Sequence, residues 1–405
     1  MRKLLKVLLA AMLMTELLYG QIDLSGSADF EFSYGGRNSS YVTNEIVQEF
    51  RRPHLGINQL NLFLFSELGN DFFFSGRVQW DTWKTGQLNA ARISLAFLSY
   101  EPLDSPLLFS IGRFTNPFGL YPRRQIASQN LFVNAPLIYG YYVNISDTRG
   151  FYGNLGQGYG AENTDNYDPG MTTIYYGGYT TGGMLSWVIV PETMDLSIAV
   201  SNVAPASERN YTNLQNLAVI SRLGLQPVIY WQQGFSFSYG SFMHRYQGTN
   251  YDFDKLERFK QMIAGTDFIF AYGYFELSGE FIYTKWNVPG SNNEGLQSDA
   301  EGLLEFDLTN YGGYIDLKYE PSFFTGSYIA LRGEKMVFDK FDQPNADTYE
   351  PRNPWDDNLI RYSAAFGYKI SHNILFKFAF SEQIYDDETI KLEDYTFRSI
   401  LTVSL

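Results

Sequence analysis

The chain has 405 residues, no cysteine, three histidines and 17% aromatic residues, yet its mean hydropathy is only -0.22. Without cysteine there is no disulfide scaffold, no thiolate metal centre and no thiol nucleophile. A net charge of -14 and a pI near 4.7 exclude a nucleic-acid partner, whose phosphates such a surface would repel.

Residues 1–20 read as a secretory signal peptide. Arg2, Lys3 and Lys6 form a basic start, the stretch 4–14 is apolar apart from Lys6, and Gly20 offers a small residue for cleavage. The apolar core is too short to span a bilayer as a helix. Cleavage removes three bases and Glu16, which takes the net charge to -16. The exported chain is then residues 21–405.

Period-two alternation recurs along this chain, which marks strands with two unlike faces. In order, such ribbons fall at 24–34, 56–66, 72–83, 91–100, 107–114, 172–180, 183–190, 194–203, 215–225, 229–240, 262–274, 275–286, 308–320, 325–337, 359–370, 373–383 and 395–405. In 72–83, Phe72, Phe74, Val78 and Trp80 share one face, and Ser75, Arg77, Gln79 and Asp81 share the other. In 373–383, Ile374, Phe376, Phe378 and Phe380 oppose Lys377, Ala379, Ser381 and Gln383. Strands of soluble sandwiches average about 5–6 residues, whereas a tilted strand needs about 9–11 to cross a bilayer. Charge on one face with aromatics near the strand ends of the other suits a water-filled lumen and a lipid-facing belt. The expected fold is all-β, a transmembrane antiparallel barrel of about 16–18 strands. Gly182-Gly183 and Ser371-His372-Asn373 read as tight periplasmic turns, and 338–358 and 385–394 as long acidic loops.

The longest interruption is 116–170, rich in Gly, Pro, Asn and Tyr. Loops of this length in compact proteins are functional or disordered. Its aromatics and prolines favour order, and it either folds into the lumen or caps the rim. Folded inward, Arg123, Arg124 and Arg149 line a constriction opposite Asp147, Glu162 or Asp165. The run Ile111-Gly112-Arg113-Phe114-Thr115-Asn116-Pro117-Phe118-Gly119-Leu120 resembles a stretch of the phosphate-selective porin O and P family. That resemblance covers about ten residues and implies a multistranded diffusion channel, commonly trimeric. It does not carry anion selectivity across, and the chain ends in Leu405, where such barrels typically end in Phe.

Parity places Arg77, Asp81, Arg92, Arg113, Arg332, Glu334, Arg361, Lys369, Lys377 and Arg398 toward the lumen, with Arg222, Lys318, Asp29, Glu31, Asp267, Glu280, Asp316 and Glu320 on the same faces. Such an inventory makes either a network of paired charges that stiffens the wall or a mild anion preference. The loop acids Asp356, Asp357, Asp386, Asp387 and Glu388 are either solvated tips or hard ligands for divalent ions bridging lipopolysaccharide. His54, His244 and His372 stand in no nucleophile pattern, so no catalytic residue, cofactor or metal site is expected. The expectation is a Gram-negative outer-membrane porin admitting small hydrophilic solutes by passive diffusion, with lipid and lipopolysaccharide around it. The alternative is a non-conducting barrel whose surface loops bind a partner protein or glycan.

Overall fold

The computed structural model describes residues 22–36, 53–81, 91–147, 150–152, 170–175, 177–207, 217–243, 256–292, 295–296, 298–299, 302–303, 305–340, 354–386 and 391–405. Residues 1–20, read as a signal peptide, lie outside these.

Sixteen long strands follow in chain order: β1 (Ile22–Gly35), β2 (His54–Glu67), β3 (Phe72–Asp81), β4 (Arg92–Tyr100), β5 (Leu107–Thr115), β6 (Tyr179–Val190), β7 (Met194–Ser201), β8 (Ala218–Val228), β9 (Trp231–Ser241), β10 (Lys260–Tyr272), β11 (Phe275–Asn292), β12 (Glu305–Tyr319), β13 (Ser327–Phe338), β14 (Leu359–Ser371), β15 (Ile374–Asp386) and β16 (Lys391–Ser404). Each pairs antiparallel with the next, and β1 pairs with β16 from Ser27↔Ser404 to Gly35↔Thr396. The sheet therefore closes on itself and leaves no edge of unpaired N–H and C=O groups. No helix among the described residues is long and apolar enough to cross a membrane; this barrel would cross with strands.

Alternation decides which side chain points where. On β1, Asp29, Glu31 and Ser33 are buried inside while Phe30, Phe32 and Tyr34 stand exposed outside. Near the short connections the outer wall carries ring pairs across strands, Phe72–Tyr100 and Phe275–Tyr319 at 4.7 Å and Phe324–Tyr368 at 4.8 Å. Near the long connections it carries exposed Tyr34, Tyr239, Tyr283, Tyr311, Tyr362 and Tyr395. These are two aromatic girdles around an aliphatic band.

All connections at one end are short: 68–71, 101–106, 191–193, 229–230, 273–274, 320–326 and 372–373. The two-residue turn after β10 puts Gly273 at φ 60°, where a Cβ would be strained. Gly182-Gly183, expected as another such turn, lies instead within β6, paired with Val200 and Ser201 on β7. The physical reason is close approach: a Cβ at Gly182 would run into the Val200 carbonyl. The ribbons expected at 172–180 and 183–190 are accordingly not two wall strands. Met171–Thr172 pairs with Tyr142–Val143 away from the wall, and β6 begins only at Tyr179.

Face assignment is testable by contrast. Phe281→Arg on the outer wall should cost about 2–4 kcal/mol of refolding stability in lipid vesicles. Ser25→Arg, inward and exposed near the short-turn rim, should change it by less than about 0.5 kcal/mol. Equal costs in urea titrations would contradict the assignment.

Candidate functional site: the segment inside the barrel

Residues 116–178 join β5 to β6, closed at the base by the Asn116 N–H donating to the Gly178 carbonyl at 2.8 Å. From Gly119 to Leu137 the irregular backbone meets inward-facing side chains of the wall, which supply the hydrogen bonds that no ladder provides. Gly119, at φ 66°, makes the first contact possible, since a Cβ there would collide with the Tyr139 hydroxyl and the Glu280 carboxylate. Its N–H donates to Ser236 Oγ at 3.0 Å. Directly after it, the Leu120 and Tyr121 N–H groups each donate to Glu280 Oε1 at 2.6 Å. Tyr121 opens the single-turn α1 (Tyr121–Arg124). Glu280 also accepts the hydroxyls of Tyr139 at 2.6 Å and Tyr314 at 2.9 Å. One carboxylate on β11, itself 1% exposed, thus gathers two distant parts of the segment. Leaving such a group buried without donors costs several kcal/mol, so the four bonds act together.

The next stretch is held by cations. Lys377 Nζ donates to the carbonyls of Ala127, Asn130 and Phe132 at 2.6, 2.9 and 3.3 Å. Arg398 bridges Glu31 at 2.6 Å and the Asn134 side-chain oxygen. Arg361 pairs with Glu334 at 2.8 Å and donates to the Ala135 carbonyl, while Glu334 accepts the Leu137 N–H at 2.6 Å. Arg332 pairs with Asp316 at 2.6 Å and lies between the rings of Phe132 at 4.3 Å and Tyr314 at 4.8 Å. Beyond α2 (Leu137–Gly140) the segment turns apolar. Ile138, Val143, Ile145 and Phe151 pack with Trp286, Leu308, Met336 and Phe338 of the wall and with Phe242, Phe259 and Trp355 of neighbouring connections.

The two ends of the lumen differ as a result. Toward the long connections, inward side chains such as Ser33, Asp81, Ser201, Gln261, Trp286, Asn310 and Leu359 are buried. Toward the short turns, Asp23, Ser25, Glu67 and Lys369 are exposed, as are Arg123, Ser128 and Gln129 of the inner segment. The interior is a vestibule open at the short-turn end and filled at the other.

Sequence-named residues fall into three groups. Arg123 is exposed in the vestibule, whereas Arg124 pairs with Glu276 at 2.7 Å. Asp147 is buried in the long-loop half, so the structure does not bring it opposite those arginines: Ile145 pairs with Phe151, which itself pairs with Gly290 at the far end of β11. Arg149, Glu162, Asp165 and His244 lie outside the described residues. On the wall, Arg77 donates to the neutral acceptors Asn61 at 2.9 and 2.7 Å, Gln59 at 3.2 Å and the Tyr179 hydroxyl. Asp81 pairs with Arg92 at 2.6 Å. Arg113 donates to the Ser94 carbonyl at 3.1 Å and stands 5.6 Å from the Tyr179 ring centre.

Asp356, weighed in the sequence as a solvated tip or metal ligand, is neither. Its carboxylate accepts the Tyr141 hydroxyl at 2.8 Å, the Asn144 N–H at 2.6 Å and the Asp357 N–H at 2.8 Å. Among the described residues no group of three or more His, Asp or Glu side chains is placed to hold a metal ion. Asp387 and Glu388 lie outside the described residues, as does the Asp386 side chain. The roles of Tyr139, Tyr314 and Trp355 had no sequence signal, since each is one aromatic among many.

No family model matches the chain, and no curated protein matches it. Solved structures do. An anion-selective porin from Comamonas acidovorans superposes with TM-score 0.57 at 10% identity, over 95% of this chain and 100% of that one. OmpT, an outer membrane protein of Vibrio cholerae, gives 0.53 at 8% identity, over 95% and 98%. Salmonella typhi OmpF, in complex with daunomycin, gives 0.52 at 13% identity, over 95% and 97%. The fold is thus that of a sixteen-stranded porin-like barrel.

Glu280→Ala removes the acceptor shared by four donors. Limited trypsinolysis of the folded barrel should then cut at Arg123 or Arg124 about ten- to a hundredfold faster, reflecting a loss of about 1.5–3 kcal/mol in anchoring. An unchanged cleavage rate would mean that Glu280 does not hold the segment.

Proposed function

We propose that the chain is an outer-membrane porin of a Gram-negative bacterium through which small hydrophilic solutes diffuse passively. The observation that carries this reading is the closed barrel with an apolar, aromatic exterior and a charged interior narrowed by the 116–178 segment. Nothing in the reading calls for chemistry on the solute, so the protein acts as a conduit and not as an enzyme.

Arg123 of the inner segment is exposed to the vestibule, and Arg124 beside it pairs with Glu276. Five arginines of the wall are balanced by acids, in the pairs Arg92–Asp81, Arg222–Asp267, Arg332–Asp316, Arg361–Glu334 and Arg398–Glu31. Arg123 and Lys369 are exposed, and neither has an ion pair among the described residues. Asp23 and Glu67 are exposed at the rim of the same vestibule, so the mild anion preference rests on Arg123, which the inner segment carries into the lumen. The Comamonas neighbour is itself an anion-selective porin. Assembly as a homotrimer is part of the reading, since Vibrio OmpT has been solved in a trimer form.

Planar-bilayer recordings under a KCl gradient test it. The expected result is stable openings with a reversal potential of anionic sign that moves toward zero in Arg123→Ala. Cation preference would overturn the selectivity. Silence from a correctly inserted barrel would favour the alternative, a barrel whose loops bind a partner, to which the filled long-loop half lends support.

A further inference from the structure

The connection between β13 and β14 ends in a short run, residues 354–357, that reaches back over the barrel mouth onto the inner segment. Trp355 is fully buried there. Its indole stands edge-on to Phe338 at 4.8 Å and to Phe151 at 6.2 Å, and its Nε1–H donates to the Thr309 carbonyl at 2.6 Å. The Trp355 N–H donates to the Asp339 carbonyl at 3.1 Å, and Pro354 bridges Lys340, so the run is tied to the top of β13. One residue on, Asp356 receives the Tyr141 hydroxyl and the Asn144 N–H. These contacts lie where the lumen is filled, and beneath them Ser146, Ile145 and Phe151 are sealed from solvent.

We propose that residues 354–357 are a latch that shuts the long-loop mouth onto the inner segment, so that solute passes only when Trp355 releases Phe151 and Asp356 releases Tyr141 and Asn144. The inference rests on the diffusion reading above and adds its regulation.

Two kinds of contact divide the work. Trp355 fills an apolar socket and is indifferent to pH, whereas Asp356 satisfies a backbone N–H and a hydroxyl with a group that can titrate. Tyr141 faces it from the inner segment with Tyr385 of β15 near that ring, and Asp357 adjoins it on its own loop. Burial, and then the Asp357 charge, push the Asp356 carboxyl up to about 7, against the three donors that pull it down. Released into water it would titrate near the ordinary value of about 4. The closed state thus holds the proton more tightly than the open one. Closure is fully favoured below about pH 4 and loses that contribution as pH rises through 7.

The chain has no cysteine, so a single introduced thiol can report on the latch. Ser146→Cys places one beneath it, read by reaction with a bulky impermeant maleimide on the full-length barrel in micelles. Rates are divided by those of a cysteine at exposed Glu101, which removes the thiol's own pH dependence. With Asp356 intact, normalised labelling should be slow at pH 5 and faster at pH 8. Asp356→Asn, a neutral isostere of the protonated acid that keeps an accepting oxygen, should label slowly at both pH 5 and pH 8 and so lose the pH dependence. Tyr141→Phe, which keeps the ring and removes one donor, should accelerate labelling at both pH values and keep the pH dependence. Equal labelling across all three backgrounds at both pH values would overturn the latch, as would a pH dependence that survives in Asp356→Asn. Conductance of the unsubstituted barrel judges the diffusion reading separately. A silent barrel whose labelling still follows Asp356 would leave the latch standing and the diffusion reading overturned.

Discussion

Backbone N–H and C=O groups that face lipid have nowhere to turn for hydrogen bonds except one another. Most of this architecture follows from that requirement. The nine pairs between β1 and β16, Ser27↔Ser404 through Gly35↔Thr396, remove the last free edge. Closure in turn fixes two faces for each strand, because alternate residues must then point to lipid or to the enclosed space. Strands of 8 to 18 residues are long enough to carry an aliphatic band between two aromatic girdles. A one-residue slip anywhere in the register would carry Arg77, Arg332 or Lys377 out to lipid and bring their apolar neighbours in.

The same need for partners acts on the inner segment, where water is also scarce. Its backbone is irregular, so its carbonyls and N–H groups depend on the wall. Acids on β11 and β13 meet N–H groups, and cations on β13, β14 and β15 meet carbonyls. Hydrogen bonds to charged groups contribute about 1.5–3 kcal/mol each, more than neutral ones, and offset part of the cost of burying the charge. The wall charges therefore have two uses. Pairs such as Arg332–Asp316 brace neighbouring strands, while Glu280 and Lys377 face loop backbone in place of an opposite charge. Distance from the short turns then sets how the interior is finished. Near that rim the segment presents polar side chains to an open vestibule, and beyond α2 it builds an apolar core continuous with the neighbouring connections.

Period two made the barrel legible. Where a ribbon ran uninterrupted, as at 359–370 or 373–383, its bounds and both faces match β14 and β15 closely. It failed at Gly182-Gly183, where two glycines look alike whether they form a turn or let two backbones approach. It also failed at 172–180, where a short inner strand and the start of β6 share one alternating stretch. Proline, glycine and length marked 116–170 as special, and Pro117-Phe118-Gly119-Leu120 proved to be the turn that docks on Glu280. The partners of that turn lie 160 positions away for Leu120 and 159 for Tyr121, a separation that no local pattern reports.

The amino-acid sequence by itself determined the fold class, the two faces of nearly every strand and the sign of each lumen charge, because these depend only on neighbours two residues apart. Tertiary structure alone decided which charges pair with each other and which hold the inner segment. It alone turned Asp356 from an apparent surface acid into a half-buried acceptor, and buried Asp147 while leaving Arg123 exposed. Those outcomes depend on which wall position a loop reaches once the barrel has closed, and closure is a property of the whole chain.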